Sequence, residues 1–295
     1  MTPDIVVFGS MNMDLVVRVP RAPRSGETLQ GRSFMTNPGG KGANQAVACA
    51  RQGARVAMVG CVGQDGFGEA LRGALAADGI DTASIRAVEG STGVAVVMVD
   101  DAGENRITII PGANDLLKAE PDALAGKYLL LQCEVPMPEV VRAAQAMRAK
   151  GATVVMNPAP VCQLPDELWP LVDILVMNEI EASELSGLAV ADPAGAAAAA
   201  TSLRRRGPAT AIVTLGSQGV LVADADGCRH FPALEAQVVD TTAAGDTFIG
   251  AMCAARVAGQ SMDAAVKRGI QAATLCVGRA GAQASIPYLH ELAAP

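Results

Sequence analysis

The chain opens on an apolar run, residues 5–8, that stops at Gly9, the pattern of a short buried strand with polar groups at its end. From 14 to 34 the character changes. Leu15, Val16, Val17, Arg18 and Val19 alternate loosely among turn residues and predict an extended, half-buried segment. A helix is expected from Gly42 to the Gly53 stop, a strand at 56–59, and a helix at 67–77 ending at Gly79. Residues 94–99 and 107–110 flank Asp100, Asp101, Ala102 and Gly103, a hairpin signal. A regular rhythm follows, with strands at 128–131, 153–156, 174–177, 211–214 and 220–223 and helices such as 138–150 and 194–206. Such alternation builds a mainly parallel sheet covered on both faces, an α/β fold. Residues 1–10, 38–90 and 113–295 make this α/β core. Segments 11–37 and 91–112 stand outside the rhythm and are expected to pair into a small β-sheet lid over the strand ends, where open α/β sheets bind ligands.

Composition narrows the function. With 295 residues, half of them apolar, the chain can bury one large α/β core. A net charge of −7 and only eight aromatic residues argue against a nucleic acid or an anionic membrane as partner. The positive mean hydropathy comes from dispersed alanine and valine; runs such as 94–99 fall far short of the ~18 apolar residues of a spanning helix. Met1, Thr2, Pro3 and Asp4 lack the basic start and apolar stretch of a signal peptide. Seven scattered cysteines without a C-x-x-C pair read as buried free thiols in a reducing cytoplasm. The two histidines, His230 in a strand-like stretch and His290 near the end, leave acid–base chemistry to carboxylates.

The strongest chemical signal is the stretch from Val239 to Phe248. Asp240, Thr241 and Thr242 lead into Ala243, Ala244 and Gly245, then Asp246, then the helical run 248–257. Small residues let a ligand approach the backbone, and free amides at a helix start suit a phosphate or a developing anion. Asp246 stands where it can take a proton from an attacking hydroxyl; an N-capping aspartate after a glycine turn is the alternative. Gly39, Gly40, Lys41, Gly42 and Asn44 form a second glycine-rich helix entry, which is not a Walker A loop because Gly42 follows the lysine. Asn12 and Asp14 follow the first strand, and Glu134 follows another. Asn178 and Glu181 lie past the strand at 174–177, where a carboxylate can hold hydrated Mg²⁺ beside phosphates or simply acidify a first helical turn. Thr214, Leu215, Gly216, Ser217, Gln218 and Gly219 make a strand-to-glycine turn suited to a nucleotide or to a plain turn. What unites them is location: all fall at or just beyond strand ends.

The ordered set of motifs resembles the ribokinase-like sugar kinase family over nearly the whole length. It comprises Gly9 to Asp14, Gly39 to Ala46, Ser91 to Ala95, Asn157 to Pro160, Asn178 to Glu181, Thr214 to Gly219, Asp240 to Asp246 and Gly281 to Ser285. The resemblance implies a Rossmann-like three-layer α/β/α sandwich with a β-lid that often forms a homodimer. It implies ATP-dependent phosphorylation of a sugar hydroxyl, the 5-hydroxyl of D-ribose, with Asp246 as general base and the 243–245 turn as anion hole. A nucleoside, fructose, 2-deoxyribose or a keto-sugar acid are alternative acceptors within the family, and a non-catalytic sugar or nucleotide sensor is an alternative outside enzymes. A dinucleotide oxidoreductase lacks its N-terminal G-x-G-x-x-G. By matched position, Asn12, Asp14, Gly40, Lys41, Asn44, Glu134 and Asp246 would surround the sugar. Asn178, Thr214 to Gly219, Gly245 and Asp246 would contact ATP, and Glu181 would organise Mg²⁺. Asp240, Thr242, Cys276, Arg279, Gly281 and Ser285 would ring an activating K⁺, mostly through carbonyls. Ile270 stands where the family often has a polar residue near adenine.

Overall fold

The computed structural model describes residues 2–292. In chain order its strands are β1 (Ile5–Phe8), β2 (Asn12–Arg18), β3 (Ser33–Gly39), β4 (Val56–Gly63), β5 (Ile85–Val88), β6 (Gly93–Val99), β7 (Asn105–Ile110), β8 (Tyr128–Leu131), β9 (Thr153–Met156), β10 (Ile174–Asn178), β11 (Thr210–Thr214), β12 (Val220–Asp224) and β13 (Gly227–Phe231). The helices are α1 (Lys41–Arg51), α2 (Gly66–Ala77), α3 (Met137–Ala149), α4 (Glu179–Ser186), α5 (Pro193–Arg204), α6 (Ala244–Val257) and α7 (Met262–Val277).

Nine strands form one sheet in the order β13-β12-β11-β10-β9-β8-β1-β4-β5. It is parallel from β5 to β11, and β12 and β13 close one edge antiparallel. Ile5 and Val7 of β1 pack into an apolar layer with α1, α2, α6 and α7, while Val6 and Phe8 face the opposite layer with α3 and α5. Strands buried on both faces need apolar side chains at every position, which is why β1, β8 and β9 read as unbroken runs. The chain starts at β1, goes out to β4 and β5, and returns on the other side at β8. That reversal opens a crevice beyond the carboxyl ends of β1 and β8, the usual ligand address of such sheets.

The second sheet runs β3-β2-β6-β7, with β2 and β6 parallel and the other pairs antiparallel. Only Gly9, Ser10 and Met11 separate β1 from β2, so the chain passes from one sheet into the other at the crevice. Asn12 pairs with both Gly39 and Gly93, which pins the near end of the small sheet there.

The structure departs from the sequence reading in several places. The segment read as continuously extended is two strands, and β3 runs to Gly39, two residues beyond 37. Helix α7 and strand β5 were not expected, and α4 only as the acidic first turn offered for Glu181. For α7 a signal existed: Ser261 caps it, its hydroxyl accepting from the Ala264 amide at 3.2 Å, and Ala265, Val266 and Ile270 keep helical spacing on the buried face. The expectation of buried thiols fails at Cys133 and Cys162, which are half-buried, and at Cys228, which is exposed. Cys228 lies on β13, the edge strand of the large sheet, where exposed positions predominate.

Candidate active site

Helix α6 begins on Ala243, which has φ 60°, the one positive φ among the described non-glycine residues. The left-handed conformation costs an L-residue roughly 1–2 kcal/mol, and such strain collects at functional sites. It turns the chain so that the amides of Gly245 and Asp246 open the helix without a protein acceptor among the described residues. The capping alternative for Asp246 is not realised. Its carboxylate points across the crevice, accepting from Asn44 Nδ2 at 3.1 Å and Gln45 Nε2 at 3.0 Å, both on α1. The side chain is buried, yet it lines a cavity of about 200 Å³ with Lys41, Asn157, Asn178, Glu181 and Gly245. Burial pushes its proton affinity up; Lys41, Gln45 and Asn44 pull the other way. The result is a carboxylate more basic than a free one, which suits proton abstraction.

Around Lys41 gather three carboxylates, Asp246, Glu134 and Glu181. Burial alone would lower the lysine's proton affinity, but Asp246, Glu134 and Glu181 outweigh it and keep the ammonium charged. Glu134 accepts from Ser10 Oγ at 2.5 Å and from the Lys41 amide at 3.2 Å, locking the strand end after β8 onto the start of α1. Asn12 is buried and accepts from Asn114 Nδ2 at 2.8 Å. Asp14 is pushed up to about 7 by burial and by the Glu134 and Asp246 charges. Because the unfolded carboxyl loses its proton at about 4, the stability contributed by neutral Asp14 is complete below that pH and is lost as pH rises through 7. Asp14→Asn is therefore expected to gain stability over the parent by about 2 kcal/mol between about pH 5 and about pH 8. Thermal unfolding at several pH values reads it, and a pH-independent gap would show that Asp14 is ionised throughout.

The glycines of the 39–42 motif turn out to serve the chain itself. A Cβ at Gly39 would fall 2.3 Å from Asp14 Oδ2, one at Gly40 2.7 Å from the Asn12 nitrogen, and one at Gly42 2.6 Å from the Ser10 nitrogen. They let α1 start hard against the β1–β2 junction, which brings Lys41, Asn44 and Gln45 to Asp246. Gly245 is the opposite case, since among the described residues a Cβ there would meet nothing within 4 Å beyond its chain neighbours and its own helix backbone. That open space belongs to the cavity rather than to packing.

A second cavity of about 680 Å³ adjoins the first and shares Thr214, Thr241, Ala244 and Gly245 with it. Gly216, Ser217 and Gly219 line it from the β11–β12 turn, and Phe248, Ile270 and Val277 supply an apolar wall. Leu215 is buried and Gln218 donates to the Ala191 carbonyl at 3.3 Å, so neither side chain reaches this space. Asn178 and Glu181 form a capping box: Asn178 N donates to Glu181 Oε2 at 2.9 Å and Glu181 N to Asn178 Oδ1 at 2.8 Å. The helix-start reading of Glu181 therefore holds, and the same carboxylate faces the smaller cavity, where burial raises its proton affinity.

Behind the α6 start, Asp240 ties two loops together. Its Oδ1 accepts from the Thr242 amide at 2.9 Å and its Oδ2 from the Gly281 amide at 3.0 Å. Cys276 Sγ lies 3.0 Å from Ser285 Oγ and 3.7 Å from the Thr242 carbonyl, which completes the cluster. Arg279 turns away to Glu291 at 2.7 Å, leaving only its backbone near these loops.

Sequence reasoning gave no role to Gln45, Gln132, Asn157, Ser10 or Asn114, all of which the structure brings to the site. Gln45 and Asn157 stood inside recognised motifs, but uncharged amides carry no chemistry that marks them without their partners. The chain matches the model of the pfkB family carbohydrate kinases over residues 2–289. It is 42% identical over 298 residues to a ribokinase of Haemophilus influenzae, covering 99% of this chain and 97% of that one. It is also similar to a deoxyribokinase of Salmonella typhi, 36% identical, covering 98% of this chain and 97% of that one. A structure of Arabidopsis thaliana ribokinase complexed with ribose and ATP superposes with a TM-score of 0.92 at 34% identity, covering 98% of this chain and 97% of that one.

Proposed function

The chain belongs to the pfkB family of carbohydrate kinases, and on that premise we propose that it transfers the γ-phosphoryl group of ATP to the 5-hydroxyl of D-ribose. The observation that carries the reading is the buried Asp246 carboxylate, held by Asn44 and Gln45 beside the open amides of α6. Asp246 takes the hydroxyl proton as the sugar oxygen bonds to the γ-phosphorus. The bond from that phosphorus to the β-phosphate oxygen breaks, and its electron pair leaves with ADP. The Ala244 amide of the expected 243–245 anion hole donates to the Thr241 carbonyl at 3.3 Å, so the amides of Ala243, Gly245 and Asp246 are left to hold the migrating phosphoryl oxygens, helped by the α6 dipole. Asn12, Asp14, Gly40, Lys41, Asn44 and Glu134 seat the sugar, and the larger cavity takes the nucleoside. Its apolar wall at Ile270 holds adenine by contact area rather than by a polar side chain at that position.

Among the described residues no cluster of three acidic, histidine or cysteine side chains is poised to hold a bare metal. That fits Mg²⁺ arriving on the nucleotide phosphates with its own waters, which Glu181 would accept from. Mg²⁺ would supply charge neutralisation between the phosphates. The oxygen-rich loops at Asp240, Thr242, Gly281 and Ser285 suit a hard monovalent cation such as K⁺, which would fix the loop leading into Ala243. The four-stranded sheet we read as the lid over the sugar. Its exposed Phe34, Met35, Ile107 and Ile109 favour a second copy of the chain as its cover, and sedimentation velocity decides between monomer and dimer. Free cysteines favour a reducing cytoplasm as the working compartment.

ADP release measured over a panel of ribose, 2-deoxyribose, fructose and nucleosides tests the reading. D-Ribose is expected to give the highest kcat/KM, and potassium to exceed tetramethylammonium by about tenfold in rate, on the scale of one well-placed charge. A preference for 2-deoxyribose would reassign the acceptor, and equal rates in both salts would make the loop cluster purely structural.

A further inference from the structure

Gln45 sits one turn into α1 with no exposed surface. Its amide is fully engaged. Nε2 donates to Asp246 Oδ1 at 3.0 Å and to Asn157 Oδ1 at 3.2 Å, and Oε1 accepts from Gln132 Nε2 at 2.7 Å. Asn157 is fixed in turn, its Nδ2 donating to the Val176 carbonyl of β10 at 3.0 Å. Reversing the Gln45 amide would set donor against donor at Gln132 and acceptor against acceptor at Asp246. Only one orientation is therefore compatible with its surroundings.

Gln132 reaches Gln45 because residue 9 has no side chain: a Cβ there would fall 2.0 Å from Gln132 Oε1. That close approach aims the Gln132 N–H at Gln45. Asn44 meanwhile holds Asp246 Oδ2, so each carboxylate oxygen has one amide donor.

We propose that Gln45 is a positioning residue for Asp246, holding its carboxylate in the one orientation that presents a free lone pair to the acceptor hydroxyl. This rests on the reading of Asp246 as the base. An N–H donated to a carboxylate also favours its ionised form. The charged and titratable groups that face Asp246 are Lys41 from α1, Glu134 after β8, Asp14 from β2, Glu181 from α4 and the Cys276 thiol from α7. None of them bonds directly to Oδ1.

The test is the pH dependence of kcat and KM for the full-length enzyme with Gln45→Met, Gln45→Glu and Asp246→Asn. Gln45→Met keeps the volume and removes the donor. It is expected to lower kcat about tenfold at neutral pH and to move the acidic limb up by about one pH unit, with KM for ATP within about twofold. Gln45→Glu adds a like charge beside Asp246 and should move the limb further. A folded Gln45→Met with parental kcat and an unmoved limb overturns the inference, because a packing role would change only stability. If that variant fails to fold, an unmoved limb in Gln45→Glu overturns it instead. Asp246→Asn separates the two claims: retained turnover defeats the base itself, whereas its loss beside parental Gln45 variants defeats only the positioning role.

Discussion

Asp246→Asn is expected to lower kcat by about 10²-fold to 10⁴-fold while the protein stays folded. The carboxamide has the same shape; its oxygen keeps the Gln45 donor, and its NH2 group can meet Asn44 Oδ1, a buried acceptor with no partner among the described residues, once the Asn44 amide turns over. A charge also no longer has to be buried. Stability should thus change little. The chemical step has no comparable compensation, since an amide cannot take a proton from the acceptor hydroxyl. Steady-state kinetics with circular dichroism on the same sample reads both, and turnover within a few-fold of the parent would remove Asp246 from its role.

Gly245→Val is the second large effect, and it dissociates activity from stability. Among the described residues nothing beyond its chain neighbours and the backbone of its own helix lies within 4 Å of the added Cβ, and the position is in the first turn of α6, where glycine is a poor helix former. The companion Gly245→Ala should therefore keep or raise stability, by up to about 1 kcal/mol. The valine side chain, however, projects into space shared by the two cavities, where the migrating phosphate would sit. Its methyl groups would displace phosphate oxygens from the open amides, and kcat/KM should fall about 10²-fold or more, the scale of losing an oxyanion donor. Unaltered kinetics in a stable Gly245→Val would show that the phosphoryl group travels elsewhere.

How much of this was legible depended on whether the cause was local. Strands β8 and β9 were read at their observed bounds because a strand covered on both faces is apolar at every residue. Helix α4 was not, because Glu179, Glu181 and Glu184 look like solvated surface; only the Asn178–Glu181 spacing marks its start. The position of Asp246 followed from small residues entering a helix, a pattern within ten residues. Its partners did not, since Asn44 and Gln45 lie about 200 residues away and meet it only once α1 packs on α6. The 39–42 glycines show the reverse problem. Their pattern was visible, but that they accommodate Asp14 and the β1–β2 junction appears only when those strands are in place.

The junction of the two sheets has a mechanical consequence. Asn12 and Asp14 belong to β2, yet only three residues separate β2 from β1, an interior strand of the large sheet. Gly40, with φ 88°, forms the return path. Any rotation of the four-stranded sheet about this joint would carry two of the groups proposed to grip the sugar, while Asp246 and Lys41 stayed with the large sheet. Acceptor affinity and lid angle would then be a single equilibrium observed through two different readouts.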